Sequence, residues 1–151
     1  MTKKELLVSA LENGTVIDHI SQGEVFRVLH ILGLENCENK IYLGSNLDSK
    51  KYGKKGILKV SNRYFKDEEI NKIALFSPYA TIIEIRDFEV VRKTAVTLPE
   101  EIHNLVKCMN PNCITNHQPI ETKFKVTQTP ELKLKCGYCE KNTIKSNMEF
   151  I

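Results

Sequence analysis

Four of the five cysteines fall into two hooks, Cys108-Met-Asn-Pro-Asn-Cys113 and Cys136-Gly-Tyr-Cys139. Cys-x4-Cys followed by Cys-x2-Cys is the spacing that wraps four thiolates around one tetrahedral Zn2+. Asn110-Pro111-Asn112 bends the first hook and Gly137 relaxes the second, so that backbone N–H groups turn toward the sulfurs. With all four ligands supplied by the chain, no coordination position is left for substrate or water, and the site reads as structural. Three rivals are weaker. A disulfide framework suits neither an odd cysteine count nor a chain without secretory features. A redox dithiol at Cys136 and Cys139 lacks the strand–helix context of a thioredoxin. His117 lies near enough to Cys113 to replace a ligand, but four cysteines already suffice.

Nothing else in the chain forms a catalytic group. His19, His30, His103 and His117 are scattered, with no nucleophile motif and no glycine-rich phosphate loop. A subtler set sits in the first two thirds: Asp18 and His19 in one expected strand, Lys59 in another and Lys93 in a third. On one side of a sheet these would suit a nucleotide, ammonium groups on phosphates and the carboxylate on ribose hydroxyls. Solvated strand lysines are the plain alternative. The run Lys50-Lys51-Tyr52-Gly53-Lys54-Lys55 reads equally as a hairpin tip or a nucleic-acid contact.

The elements that must position these groups follow from periodicity. Residues 15–20 are a β-branched run after the turn signal Asn13-Gly14 and read as a strand. Ser21-Gln-Gly-Glu24 has the form of a capping box and opens a helix whose Val25, Val28, Leu29 and Leu32 share one face, with Gly33 at its exit. Residues 40–47 and 56–60 are further strands, joined by a polar loop over 48–53. Asp67 caps a second helix carrying Ile70, Ile73 and Ala74 and stopped by Pro78. Residues 81–85 and 88–93 complete the first domain as strands on either side of a turn at Arg86-Asp87. Strand–helix–strand–strand–helix–strand is the ferredoxin-like order, with one extra strand. The helices should cover one sheet face and leave the other free.

The expected class is therefore α+β: a ferredoxin-like domain over residues 1–95, a linker at 96–106 around Pro99, and a small all-β zinc domain over 107–151. Residues 122–126 and 132–135 alternate apolar with basic, as half-exposed antiparallel strands do. Roughly 45 residues bury too little to fold alone, so the metal, at about 10–16 kcal/mol of apparent binding energy, must supply the shortfall.

Composition sets the remaining limits. The chain has 151 residues, 41% of them hydrophobic and 27% charged. It has no apolar run of the roughly 18–20 residues that cross a bilayer, and its first residues carry no secretory core. A cytoplasmic location without membrane contact is expected. Four thiolates on one Zn2+ would bring the formal +3 to about +1, a poor basis for general nucleic-acid binding. Lys107, Lys135 and Lys141 partly compensate the metal cluster.

Several segments together resemble the regulatory chain of aspartate carbamoyltransferase: Gly14-Thr-Val-Ile-Asp-His-Ile20, Asp67 to Pro78 with Ala80-Thr81, Glu89-Val-Val91 before Lys93, Leu98-Pro99, and the two cysteine hooks with Ile114 and Glu140-Lys141. The resemblance covers nearly the whole chain. It implies a non-catalytic subunit in pyrimidine biosynthesis whose first domain binds nucleoside triphosphates, CTP and ATP, and pairs with a second copy across a sheet. It implies a zinc domain that docks on a separate catalytic chain, in an assembly of two catalytic trimers and three regulatory dimers. By motif, Val8, Leu11, Val16, Asp18, His19, Lys59, Val90 and Lys93 would form the nucleotide site, with Lys55 beside them. Asn110, Asn112, Glu140 and Lys141 would face the catalytic chain, and Cys37 would be a buried or idle thiol. Where better-studied members carry asparagine and arginine, this chain has Ile83 and Ala95, which removes hydrogen-bonding capacity near the nucleotide. A zinc-ribbon nucleic-acid binder is the competing reading, favoured by a pI near 8.5 and opposed by the lack of an aromatic stacking platform.

Overall fold

The computed structural model describes residues 10–51, 53–128 and 131–151, which form two compact units dividing between Leu98 and Pro99. In the first unit the elements run β1 (Gly14–Ser21), α1 (Val25–Ile31), β2 (Ile41–Ser49), β3 (Gly53–Ser61), α2 (Asp67–Asn71), β4 (Thr81–Arg86) and β5 (Glu89–Ala95). The sheet order is β2-β3-β1-β4-β5, antiparallel throughout. This is the expected ferredoxin-like arrangement, with β5 added beyond β4.

Alternation decides which face is covered. Ile17 pairs with Leu58 and Ile82, and Thr15 with Val60. These side chains share the core with Val25 and Val28 of α1, all of them buried. Lys59, Val16, Ile83 and Lys93 fall on the opposite face. Two glycines permit close approaches. A Cβ on Gly14, whose φ is +143°, would lie 2.1 Å from the Val60 carbonyl oxygen. A Cβ on Gly56 would lie 2.0 Å from Val25 Cγ2, so α1 reaches the sheet only because β3 has no side chain there.

Four local expectations are corrected. Ser21-Gln-Gly-Glu24 is a tight turn and not a capping box: Ser21 still belongs to β1, opposite Lys55. Its carbonyl accepts the Glu24 N–H at 3.0 Å, and the Glu24 carboxylate turns to Arg27 at 3.2 Å. The loop expected over 48–53 is shorter, because Asp48 and Ser49 pair with Lys54 and Gly53 as strand; backbone pairing needs no apolar side chain. The second helix starts with Lys66 as its N-cap and tightens into a 3-10 turn over Lys72–Leu75, which carries Ile73, Ala74 and Leu75 into the core. Residues 96–106 are not a free linker. Val96 is buried, its N–H donating to the Ala80 carbonyl at 3.1 Å, and Glu101–His103 forms a strand of the second unit.

That second unit comprises β6 (Glu101–His103), β7 (Lys123–Thr127), β8 (Lys133–Cys136) and β9 (Asn142–Ile144), antiparallel in that order. Ile102, Val106, Phe124, Leu134 and Thr143 form a small buried layer. The C-terminal residues close it, Phe150 bridging to Val106 and the Ile151 N–H donating to the Leu105 carbonyl at 3.0 Å.

Substituting Gly56→Ala is expected to destabilise the first unit by about 1–3 kcal/mol, because Val25 on a packed helix must give way. A urea titration followed by far-UV circular dichroism measures this. An unchanged midpoint would mean that α1 does not sit where Gly56 places it.

Candidate functional sites: a sulfur cage and an uncovered sheet face

The two cysteine hooks converge. The four Sγ atoms of Cys108, Cys113, Cys136 and Cys139 lie within 4.8 Å of one another. Cys108 and Cys139 are 3.6 Å apart, Cys113 and Cys136 3.7 Å. A tetrahedral Zn2+ with bonds of about 2.3 Å places its sulfurs about 3.8 Å apart, whereas a disulfide needs about 2.05 Å. The donor set and spacing therefore fit one structural zinc. Such an ion supplies a closed, redox-inert anchor and no catalytic position.

The chain builds the cage from local turns. In the first hook the Asn110 carbonyl accepts the Cys113 N–H at 3.0 Å. Asn116 Nδ2 then donates to the carbonyls of Cys108 and Asn110 at 3.1 and 2.7 Å. In the second, Glu140 N–H donates to the Cys136 carbonyl at 3.1 Å and Gly137 N–H to the Lys123 carbonyl at 2.7 Å. The sulfurs receive donors of their own, Tyr138 N–H on Cys136 at 3.4 Å and the Thr115 hydroxyl on Cys113 at 3.2 Å. These contacts divide the thiols. Burial pushes Cys113 up, but the Thr115 hydroxyl and N–H outweigh it and hold the thiol below its usual range. Burial also raises Cys139, yet the Lys141 N–H and the Asn110 side chain bring it down to about 7. Cys108 and Cys136 are pushed up, by burial above all, with neighbouring sulfurs adding to it. A dication removes the conflict by making all four thiolates favourable.

Sequence reasoning missed Thr115 and Asn116, although short polar side chains two and three residues past a hook are known to bind nearby backbone. His117 is exposed and lies outside the cysteine cluster. Cys37 is half-exposed and not buried, its thiol 3.9 Å from the Asn39 carbonyl oxygen. Of the residues expected to meet a partner, Asn112, Glu140 and Lys141 are exposed. Asn110 is 9% exposed and its side chain serves the hook, accepting the Asn112 N–H at 3.1 Å. Glu140 holds a φ of +63°, a left-handed backbone that an exposed glutamate adopts only because the hook requires it.

In the first unit, strand register aligns residues far apart in sequence. Tyr42 pairs with Lys59, Lys59 with Val16, Val16 with Ile83, and Ile83 with Lys93. One row thus crosses all five strands on the face the helices leave uncovered, with Lys59 and Lys93 about 14 Å apart across an aliphatic floor. Asp18 stands in the next row beside Thr81, which in turn pairs with Ala95. Val90, opposite Ile85, lies on the other side of the Lys59–Lys93 row from Asp18. Leu11 is buried, its Cδ2 3.0 Å from where a Gly14 Cβ would be. Val8 lies outside the described residues.

Asp18 and His19 occupy an irregularity in the β1–β3 pairing between Ile17 and Ile20, with His19 at a φ of +56°. This re-aims both side chains. Asp18 Oδ1 accepts from Lys55 Nζ at 2.8 Å and from the His19 N–H at 2.7 Å. Burial pushes the Asp18 carboxyl up, but Lys55 and then His19 more than offset it, so it ionises below the usual carboxylate range. Burial lowers the Lys59 ammonium, with Asp18 partly restoring it. A cation that loses hydration on folding gains from an anionic ligand.

A four-sulfur module following a ferredoxin-like domain with a basic, aliphatic-floored sheet face defines a class: a two-domain binding chain with a structural metal. Comparison with known proteins narrows it. Residues 6–97 match the family described as the aspartate carbamoyltransferase regulatory chain, allosteric domain, and residues 100–149 match its metal binding domain. The chain is 51% identical to the aspartate carbamoyltransferase regulatory chain of Bacteroides thetaiotaomicron, over 92% of this chain and 91% of that one. It is 48% identical to that of Bacteroides fragilis over 99% and 97%, and 49% identical to that of Thermococcus sibiricus over 96% and 95%. The chain belongs to the aspartate carbamoyltransferase regulatory chain family. Among the described residues, no helix is long and apolar enough to cross a membrane.

Two outcomes are expected. Cys113→Ser should release the metal and unfold residues 99–151 while the first unit keeps its structure, read by amide hydrogen exchange; protection retained in the second unit would contradict the metal's structural role. The second concerns pH. Because the folded Asp18 carboxyl ionises below its unfolded value of about 3.9, its stabilisation is complete above that value and lost as pH falls through the folded one. Wild-type stability should therefore fall more steeply than that of Asp18→Asn as the pH drops below about 4, as urea midpoints would record. Parallel curves would show Asp18 to be unpaired in solution.

Proposed function

We propose that this chain is the non-catalytic regulatory subunit of a cytoplasmic aspartate carbamoyltransferase. It binds nucleoside triphosphates on its first unit and docks through its zinc unit on a separate catalytic chain. The observation that carries the reading is the match to both family domains in order, over residues 6–97 and 100–149. The geometry is compatible with each role. Lys59 and Lys93 suit phosphates; Ile83 and Val90 offer aliphatic surface, backed by the buried Val16 and Leu11; Asp18, steadied by Lys55, suits ribose hydroxyls. Asn112, Glu140 and Lys141 stand at the tips of the two hooks, where a partner can reach them. Pairing with a second copy would use a free edge of the five-stranded sheet.

Regulation then follows from linkage. CTP or ATP shifts the assembly between quaternary states only by its differential affinity for them, a coupling of about 1–3 kcal/mol. Ile83 and Ala95 put no hydrogen-bonding side chain on that part of the face, so base preference falls to the remaining polar groups, Thr81 among them.

Co-expression with the catalytic chain, followed by a carbamoyl-transfer assay with and without CTP and ATP, tests the reading. Lys59→Ala and Lys93→Ala should each weaken nucleotide binding about tenfold or more and blunt the effector response without dissociating the complex. Cys113→Ala should do the reverse, abolishing assembly and sparing nucleotide binding. Effector responses that survive both lysine changes would place the nucleotide elsewhere, and normal assembly of Cys113→Ala would remove the docking role.

A further inference from the structure

The alternation of apolar and basic residues in β7 and β8 is not explained by the metal. Register puts Glu101, Lys125, Lys135 and Asn142 in one row across β6–β9, with His103 and Lys123 in the row on one side and Thr127, Lys133 and Ile144 in the row on the other. Phe124, Leu134 and Cys136 point the opposite way, into the buried layer. The outward face therefore carries four lysines and one glutamate, and that glutamate is engaged by His103 at 3.5 Å. No ion pair to Lys123, Lys125, Lys133 or Lys135 exists among the described residues.

Lys123, Lys125 and Lys135 also converge. With Glu101, Gly137 and Glu140 they line one cavity of about 270 Å3. The Lys123 side chain runs over the second hook, its Cε 2.9 Å from the position of a Gly137 Cβ. This basic face is thus continuous, through Gly137 and Glu140, with the hook that presents Glu140 and Lys141.

We propose that the docking footprint of the zinc unit extends from its second hook across this sheet face, and that Lys123, Lys125 and Lys135 receive an acidic segment of the catalytic chain. The inference rests on the regulatory-subunit reading. Its physical basis is charge complementarity. Ammonium groups on flexible stems, held by adjacent strands about 4.8 Å apart, match carboxylates on a facing surface and speed encounter. A site of this kind is sensitive to ionic strength, unlike the packing around the cage.

The test uses zinc-loaded full-length chain and its co-expressed catalytic chain. Association is measured at about 50 mM and 500 mM salt for wild type and for Lys123→Gln/Lys125→Gln/Lys135→Gln, with Lys125→Glu alone as a second variant that keeps Lys123 on the hook. Expected are unchanged zinc content, association weakened about tenfold or more by either variant at low salt, and a difference within about threefold at high salt. Low-salt association equal to wild type in both variants overturns the proposal, as does a loss that is the same at both salt concentrations. Wild-type chain that fails to bind the catalytic chain at either salt instead overturns the regulatory-subunit reading.

Discussion

The convergence of four sulfurs is the constraint on which the second half of the molecule depends. Residues 99–151 bury only a thin layer around Phe124, Leu134 and Val106, and their strands are three to five residues long. Such a sheet does not hold itself together; small domains need a metal, a disulfide or a partner. Here each hook is a closed turn whose hydrogen bonds aim the sulfurs at one point. Burial raises two of the thiols while local donors lower the other two, a conflict that a tetrahedral dication resolves. The metal ties β8 to the loop after Val106 and so fixes the two hook tips.

The first unit has the opposite economy. Its core of Ile17, Ile20, Leu58, Val60, Ile73 and Leu75 closes one face of a five-stranded sheet and needs no metal. What remains is the other face, where a row of residues from five strands carries two lysines over an aliphatic floor. The Asp18–Lys55 pair beside it is mostly buried, with side-chain exposures of 19% and 13%. A pair so placed holds its geometry better than an exposed one, because solvent screens it less. It accompanies an irregular β1 and a left-handed His19.

Much of this was legible in the sequence for identifiable reasons. Cysteine spacing reports metal geometry directly, so the four ligands could be read off Cys108 to Cys139. The β-branched run after Asn13-Gly14 reported β1, and apolar–basic alternation reported β7, whose Phe124 is buried between exposed lysines. The hairpin tip at 50–55 was legible, but the extent of its strands was not: Asp48, Ser49 and Lys54 are polar, and only backbone pairing makes them strand. Ser21 to Glu24 misled because a capping box and a tight turn share their residue types, and the distinction lies in where β1 stops. Glu101–His103 passed for linker because a three-residue strand has no period to detect. The alignment of Lys59 with Lys93, and of Lys125 with Lys135, depends on register, which exists only once strands pair.

The central claim is that a caged ion holds the second unit together, and metal content measured together with local order tests it most directly. Native mass spectrometry of freshly isolated chain should show one zinc per chain, and amide exchange on the same sample should show residues 99–151 protected. Metal-free chain with that segment still fully protected would contradict the account.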